Sequence, residues 1–92
     1  MVSEDLRPVY GCVQGGHAVA QWVIDNQWNN RVGKWNNNYL IFLYANLDKW
    51  TEIFRNNGIS YSHWREPDLD GKMTAIAVES DGELFKGLKT VK

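Results

Sequence analysis

Residues 39–58 read YLIFLYANLDKWTEIFRNNG and decide the fold class. The first seven, Tyr39–Ala45, form an unbroken apolar run, which is typical of a central strand covered on both faces. Asn46 follows where a helix N-cap is expected, and Gly58 stands where a left-handed residue ends a helix. The apolar residues between them share one helical face: Leu47, Trp50, Ile53 and Phe54. The segment therefore predicts a buried strand followed by an amphipathic helix.

Upstream of this unit, residues 7–14 (RPVYGCVQ) predict a first strand, in which Cys12 is a small buried hydrophobe rather than a nucleophile. Gly15–Gly16 predicts a tight turn, and residues 17–25 predict a helix because their apolar side chains recur at helical spacing. Residues 26–38 are rich in Asn and predict a loop. The two strands and the helix between them form a parallel β-α-β unit.

Downstream, Ile59–Arg65 alternates in polarity and predicts a half-exposed strand near a sheet edge. Glu66–Lys72 predicts a turn, Met73–Val78 predicts another strand, and a short element follows Asp81–Gly82. The order β-α-β-α-β-β plus a short terminal element predicts an α/β fold. It consists of a small mixed four-stranded sheet with helices packed on it, in a single domain that spans residues 1–92.

Composition excludes several classes of protein. Ten Lys and Arg balance eleven Asp and Glu, so the net charge of -1 creates no overall field that recruits nucleic acid or a membrane. A single cysteine forms no internal disulfide and favours a reducing, cytoplasmic location. Acidic residues near the start argue against a signal peptide. No apolar run is long enough to predict a membrane span. Aromatic residues make up 13% of the chain, which predicts either an exposed binding surface or rings that seal a small core or a dimer interface.

Three features are candidates for chemistry. Gly15–Gly16, placed between a strand and a helix, could hold an anion at the helix N-terminus, although a tight turn is the more common reason for such a pair. His17 and His63 could act as bases, but they lack the spacing of zinc ligands. The acidic turn Glu66–Gly71 resembles half of a calcium loop, with Ala77 where the bidentate Glu would be required. The sequence therefore predicts no metal and no cofactor.

Two segments carry a resemblance to a known family. Residues 13–18 (VQGGHA) are similar to the Ala-Gln-x-x-His-Ala segment at the first helix of the type II peptidyl-tRNA hydrolases. Residues 74–78 (TAIAV) are similar to the closing Thr-Val-Leu-Ala-Ile-Gly strand of that family, and residues 39–68 follow its order of strand, helix, strand and acidic residue. The chain resembles the family over nearly all of its length, like a trimmed, phage-encoded relative.

The resemblance implies which residues would hydrolyse the ester between peptide and tRNA. The acidic residue of the family falls on Glu66 or Asp68, which would be the base, and its threonine falls on Thr74, which would orient water. His17 is an alternative base. The catalytic lysine of the family has no counterpart, because its loop would be deleted before the glycine pair. The N–H groups of Gly15–Gly16 would then stabilise the oxyanion.

Two further functions are compatible with the sequence. An inactive relative could use Gln14, Gly15, Gly16 and Trp64 to hold a nucleotide or an RNA end, because bases stack on aromatic rings without needing a basic protein. A structural homodimer with aromatic residues in its interface is the third alternative. The enzymatic and binding alternatives both require the glycine pair, the acidic turn and Thr74 to line one crevice.

Overall fold

The computed structural model describes residues 1–92 and contains one mixed sheet with helices on it, which confirms the predicted α/β fold class. The strands are β1 (Val2–Ser3), β2 (Tyr44–Ala45), β3 (Tyr61–Glu66) and β4 (Lys72–Val78). The helices are α1 (Pro8–Asp25), α2 (Arg31–Trp35) and α3 (Leu47–Asn56), with 3-10 turns at Pro67–Leu69 and Glu83–Phe85. In the strand order β2-β1-β4-β3, β1 is parallel to β2, whereas β4 is antiparallel to both β1 and β3.

Helices cover both faces of the sheet. On one face, Ala18 of α1 packs with Val2 and Ala75. On the other face, Phe54 of α3 packs with Ile76 in a larger cluster. Ala75 and Ile76 are neighbours in β4 and belong to different clusters, because successive side chains of a strand point to opposite faces. The sheet therefore separates an α1 face from an α3 face.

The second half of the chain follows the predictions closely. Asn46 caps α3, since its side-chain oxygen accepts a hydrogen bond from the Lys49 N–H at 3.2 Å. Gly58 ends the helix region with φ +64°, a conformation that costs glycine little. β3 lies at the sheet edge and pairs with β4 across a turn at Pro67–Leu69, as its alternating pattern predicted.

The predicted strand at residues 7–14 is wrong, because α1 begins at Pro8 and runs unbroken through Gly15–Gly16. Proline suits the first position of a helix, where its missing N–H would have no partner. Cys12 is exposed on this helix, not buried in a strand. The first strand of the β-α-β unit is instead Val2–Ser3, which pairs in parallel with β2 as the unit requires.

The predicted central strand at Tyr39–Ala45 is largely wrong as well. Only Tyr44–Ala45 pairs as a strand, because β1 offers just two residues to pair with, and Tyr39 and Ile41 are exposed. The segment nearest the C-terminus lies along the outer side of β2, where the Val91 N–H donates to the Phe42 carbonyl at 2.9 Å. The predicted loop at residues 26–38 contains the short helix α2.

None of the helices combines the length and the apolar content needed to cross a membrane.

Candidate functional site: a buried polar cluster between α1 and the β3–β4 hairpin

Helix α1 approaches the sheet closely where its inner face carries glycine and alanine. The buried residues of α1 recur at helical spacing: Gly11, Gln14, Gly15, Ala18 and Trp22. A Cβ atom on Gly15 would lie 3.0 Å from the Phe42 ring and 3.2 Å from Val2, which is closer than normal packing allows. Gly15 therefore permits close helix–sheet contact.

This position corrects the expected role of the glycine pair. Gly15 and Gly16 lie in the middle of an 18-residue helix, where each N–H is directed along the helix to a carbonyl one turn earlier. Such N–H groups offer nothing to an anion or an oxyanion. Gly15 faces the sheet, whereas Gly16 is exposed, so the two residues do not share a surface.

The close approach brings Gln14 against β4. The Thr74 hydroxyl donates to the Gln14 side-chain oxygen at 2.5 Å, and the two residues are almost completely buried. Trp64 pairs with Ala75 and Arg65 pairs with Met73, which leaves Thr74 as the extra residue of a β-bulge. Bulges redirect side chains, and this one turns Thr74 towards α1.

Glu66, at the end of β3, completes the polar link and is only 8% exposed. Its two carboxylate oxygens accept hydrogen bonds from Trp64 Nε1 and from the Asp68 backbone N–H, each at 3.3 Å. Desolvation alone would raise the pKa of Glu66. Hydrogen bonds from Gln14, Trp64 and Asp68, together with the charge of His17, outweigh it and lower the pKa below its ordinary value. The carboxylate is therefore ionised at neutral pH.

His17 provides the exposed part of this site. Its imidazole ring stacks on the Trp64 indole with ring centroids 4.4 Å apart and planes 11° apart. Trp64 itself donates to Glu66, so one side chain holds both the imidazole and the carboxylate in place. We call Gln14, His17, Trp64, Glu66 and Thr74 the polar cluster.

Tyr10 lies on the same flank of α1, one turn before Gln14. Desolvation raises the pKa of its phenol, and the negative charges of Glu66 and Asp68 raise it further. The phenol therefore stays protonated at neutral pH and remains a hydrogen-bond donor. Nothing in the sequence distinguished Tyr10 from the other tyrosines, because its importance comes from the carboxylates that the fold places near it.

The structure thus brings together most of the residues predicted for the site. Gln14 and His17 come from α1, and Glu66 and Thr74 come from the β3–β4 hairpin, so two segments distant in sequence meet here. Asp68 adjoins them through its backbone contact with Glu66 and is exposed. Gly15 and Gly16 do not take part, so the prediction that the glycine pair lines one crevice with the acidic turn and Thr74 was wrong for the glycine pair.

A short loop, Glu4–Arg7, connects β1 to α1 and contains no lysine. The prediction that the first strand leads directly into the glycine pair was wrong, because it placed that strand at residues 7–14.

A second polar contact joins α1 to β3. The Ser62 hydroxyl donates to Asp25 at 2.6 Å, and the Gln21 amide donates to the other carboxylate oxygen at 2.8 Å. Bonds from Ser62 and Gln21, with the nearby charge of His63, lower the pKa of Asp25. The serine bonds directly to the carboxylate, so no imidazole stands between them as a nucleophile–base arrangement would require. No sequence pattern predicted this contact, which joins residues 37 positions apart.

No group of three His, Cys, Asp or Glu side chains is arranged to hold a metal ion. His63, the other histidine considered as a base, is exposed on β3 and lies outside the polar cluster.

The other flank of α1 borders an apolar cleft of about 410 Å³, which we call the aromatic cleft. The aromatic residues lining it are Trp22, Trp35, Tyr39, Phe42 and Phe85. The Trp22 and Trp35 rings meet edge to face at 5.7 Å, and Trp35 Nε1 donates to the Tyr39 carbonyl at 2.6 Å. The sequence predicted a surface of exposed rings, but it did not predict that they line a cleft.

Comparison with protein-family models, with curated proteins and with solved structures finds no match for this chain.

Proposed function

We propose that the polar cluster is a hydrolytic site that acts on the ester bond between peptide and tRNA. The observation that carries this proposal is that Gln14, Glu66 and Thr74 meet as buried polar groups beside an exposed histidine, with Thr74 donating to Gln14 and Gln14 lowering the pKa of Glu66. We infer the substrate from the resemblance to type II peptidyl-tRNA hydrolases and the roles of the residues from their geometry.

In this proposal His17 is the general base. Its ring is exposed, so water and substrate can reach it, whereas Thr74 is fully buried and Glu66 has both oxygens occupied by donors. A carboxylate with a lowered pKa is a weak proton acceptor, but its negative charge stabilises an imidazolium beside it. Glu66 therefore supports His17 rather than acting as the base.

The reaction then proceeds by addition of water. His17 takes a proton from water as the water oxygen attacks the ester carbonyl, and the bond to the ribose oxygen of the tRNA breaks. The imidazolium returns the proton to that ribose oxygen. The Tyr10 phenol, which stays protonated, donates a hydrogen bond to the developing oxyanion. Gln14 and Thr74 are positioning residues that orient the Glu66 carboxylate.

The two histidines offer a matched experiment. Purified protein should release tRNA from an N-acetylated aminoacyl-tRNA, and His17→Gln should lower that rate by about 10²-fold or more, the typical contribution of a general base. His63→Gln, which alters an exposed histidine outside the cluster, should leave the rate unchanged. Equal rates for the two variants, or no release by the native protein, would refute the catalytic proposal.

The aromatic cleft favours a second candidate function, the binding of a nucleotide or an RNA end without catalysis. A flat base can stack against rings such as Trp35 and Tyr39, and a cleft of this size and apolar character is typical of a ligand site.

Tryptophan replacements test this second function. Mononucleotides should raise the midpoint of thermal unfolding of the native protein, and Trp35→Leu should abolish that rise. Trp28→Leu is the matched control, since Trp28 is 91% exposed and lies outside the cleft. A rise that persists in Trp35→Leu, or no rise with any nucleotide, would contradict binding in the cleft. The single unpaired Cys12 supports a reducing compartment such as the cytoplasm for either function.

A further inference from the structure

The outward face of α1 is an uncovered apolar surface. Its residues recur once per helical turn and are all exposed: Val9, Val13, Gly16, Ala20 and Ile24. The side chain of Val9 is 81% exposed and that of Ile24 is 57% exposed. We call these five residues the outer face. A helix that turns an apolar face to solvent is normally covered by another element.

No Asp, Glu, Lys or Arg occurs in α1 before its last residue, Asp25. The exposed faces of helices in monomeric proteins usually carry charges, and α3 of this chain does so with Asp48, Lys49, Glu52 and Arg55. Without charges, two copies of the outer face can meet without bringing like charges together. A partner that recognises this face cannot do so through ion pairs.

Gly16 provides an independent indication of close contact. Nothing lies within 4 Å of a Cβ atom built on it, and its backbone has no positive φ, so the fold itself does not require glycine there. This contrasts with Gly15, where a Cβ atom would meet Phe42. Glycine in an exposed helix interior costs stability relative to alanine. A second backbone that approaches at Gly16 and Ala20 would account for the glycine, since small residues four apart allow helices to pack closely.

We propose that the outer face is the interface of a homodimer in which α1 of one protomer packs against α1 of its partner. These observations favour a second copy of the chain as the partner. In a two-fold dimer the same face of each protomer meets, and two uncharged apolar faces can do so without repulsion between like charges. This proposal is independent of the proposed function, since none of the five residues belongs to the polar cluster.

The size of the surface sets the expected strength of the dimer. An 18-residue helix is about 27 Å long. Leu40 and Ile41, which line the aromatic cleft together with Val19 and are exposed, extend the apolar area beside the helix. One helix face with this extension is at the small end of specific interfaces, so we expect a reversible dimer that dissociates on dilution.

Sedimentation equilibrium of the full chain tests the proposal. Over roughly a hundredfold range of concentration, the average mass should rise from 10.6 kDa towards twice that value. Ala20→Glu should keep the protein monomeric at every concentration, with an unchanged circular dichroism spectrum. Leu84→Glu is the matched control, because it places the same charge on an exposed apolar residue outside α1 and should leave dimerisation intact.

Three outcomes would overturn the inference. The native protein could remain monomeric over the whole range, or Leu84→Glu could dissociate the dimer as fully as Ala20→Glu does. The third outcome is a monomeric native protein that binds to lipid vesicles unless Ala20 is replaced by Glu, since that would make the outer face a membrane surface. Gly16→Leu tests close packing without adding a charge. It should weaken the dimer, although leucine favours the helix more than glycine does.

Discussion

The two faces of the sheet are packed with different kinds of side chain. The α3 face is a cluster of large apolar side chains in which the Phe54 ring lies 5.6 Å from that of Tyr61 and 6.1 Å from that of Phe85. The α1 face combines glycine and alanine with buried polar groups such as Gln14 and Thr74. Large rings bury most apolar area for each residue, so we assign most of the stability to the α3 face.

The difference also explains where the candidate site lies. Small residues let α1 approach the sheet so closely that Gln14, Thr74 and Glu66 lose contact with water and must satisfy one another. No side-chain nitrogen or oxygen that is buried in the fold lacks a partner. A satisfied buried polar network fixes one arrangement of its members, which a catalytic or binding site needs.

The largest expected effect comes from removing a ring on the α3 face. Phe54→Ala should lower the free energy of unfolding by about 3–5 kcal/mol, because Phe54 is completely buried and its neighbours cannot fill the space. Phe85→Ala should cost less, since Phe85 is only half-buried. Urea unfolding measures both changes in the free energy of unfolding. Equal losses would contradict the prediction that the completely buried Phe54 ring contributes more than the half-buried Phe85 ring.

The adjacent glycines of α1 give a matched pair with opposite signs. Gly15→Ala should destabilise the fold by about 1–3 kcal/mol, because the new methyl group would meet the Phe42 ring at 3.0 Å. Gly16→Ala should stabilise the monomer by about 0.5–1 kcal/mol, because it restricts the unfolded chain and meets nothing in the folded one. Urea unfolding at low protein concentration measures both. A stabilising Gly15→Ala would show that α1 does not lie as close to the sheet as described.

A smaller effect should appear as pH falls. The pKa of Glu66 is lowered in the folded protein from its ordinary value of 4.5. Its contribution to stability is therefore fully present above about pH 4.5 and is lost as the pH falls through the folded-state pKa. Glu66→Gln removes this contribution, so its stability should decline less steeply in acid than that of the native protein. Glu52→Gln, which alters an exposed carboxylate on α3, should leave the slope unchanged, and equal slopes in all three proteins would contradict the prediction.

Sequence patterns predicted the elements in which polar and apolar residues recur with the period of that helix or strand. Asn46 and Gly58 bound α3 as expected, and the alternation of residues 59–65 identified the edge strand. The first half of α1 was missed because its inner face consists of Gly11, Gln14 and Gly15, which leave no apolar stripe, while its valines face solvent. Hydrophobic periodicity cannot recognise a helix whose buried side is made of small and polar residues.

The candidate site was predicted in part, through the resemblance and not through patterns. The quoted motifs placed Gln14, His17, Glu66 and Thr74 together, and the structure does so. The stacking of His17 on Trp64 depends on the register of α1 against β3, which the sequence does not specify. The bulge at Thr74 is likewise a property of strand pairing.

The contact between Gln14 and Thr74 is the link on which the polar cluster depends, and a double-mutant cycle measures it. Thr74→Val removes the donated hydrogen bond and leaves the Gln14 oxygen unpaired, so it should cost about 1–3 kcal/mol. Gln14→Leu should also destabilise the fold. Combining the two should cost less than the sum of the separate changes, with a coupling energy of about 0.5–3 kcal/mol from urea unfolding. Strictly additive losses would mean that α1 and β4 do not meet at these side chains, and the site would have no physical basis.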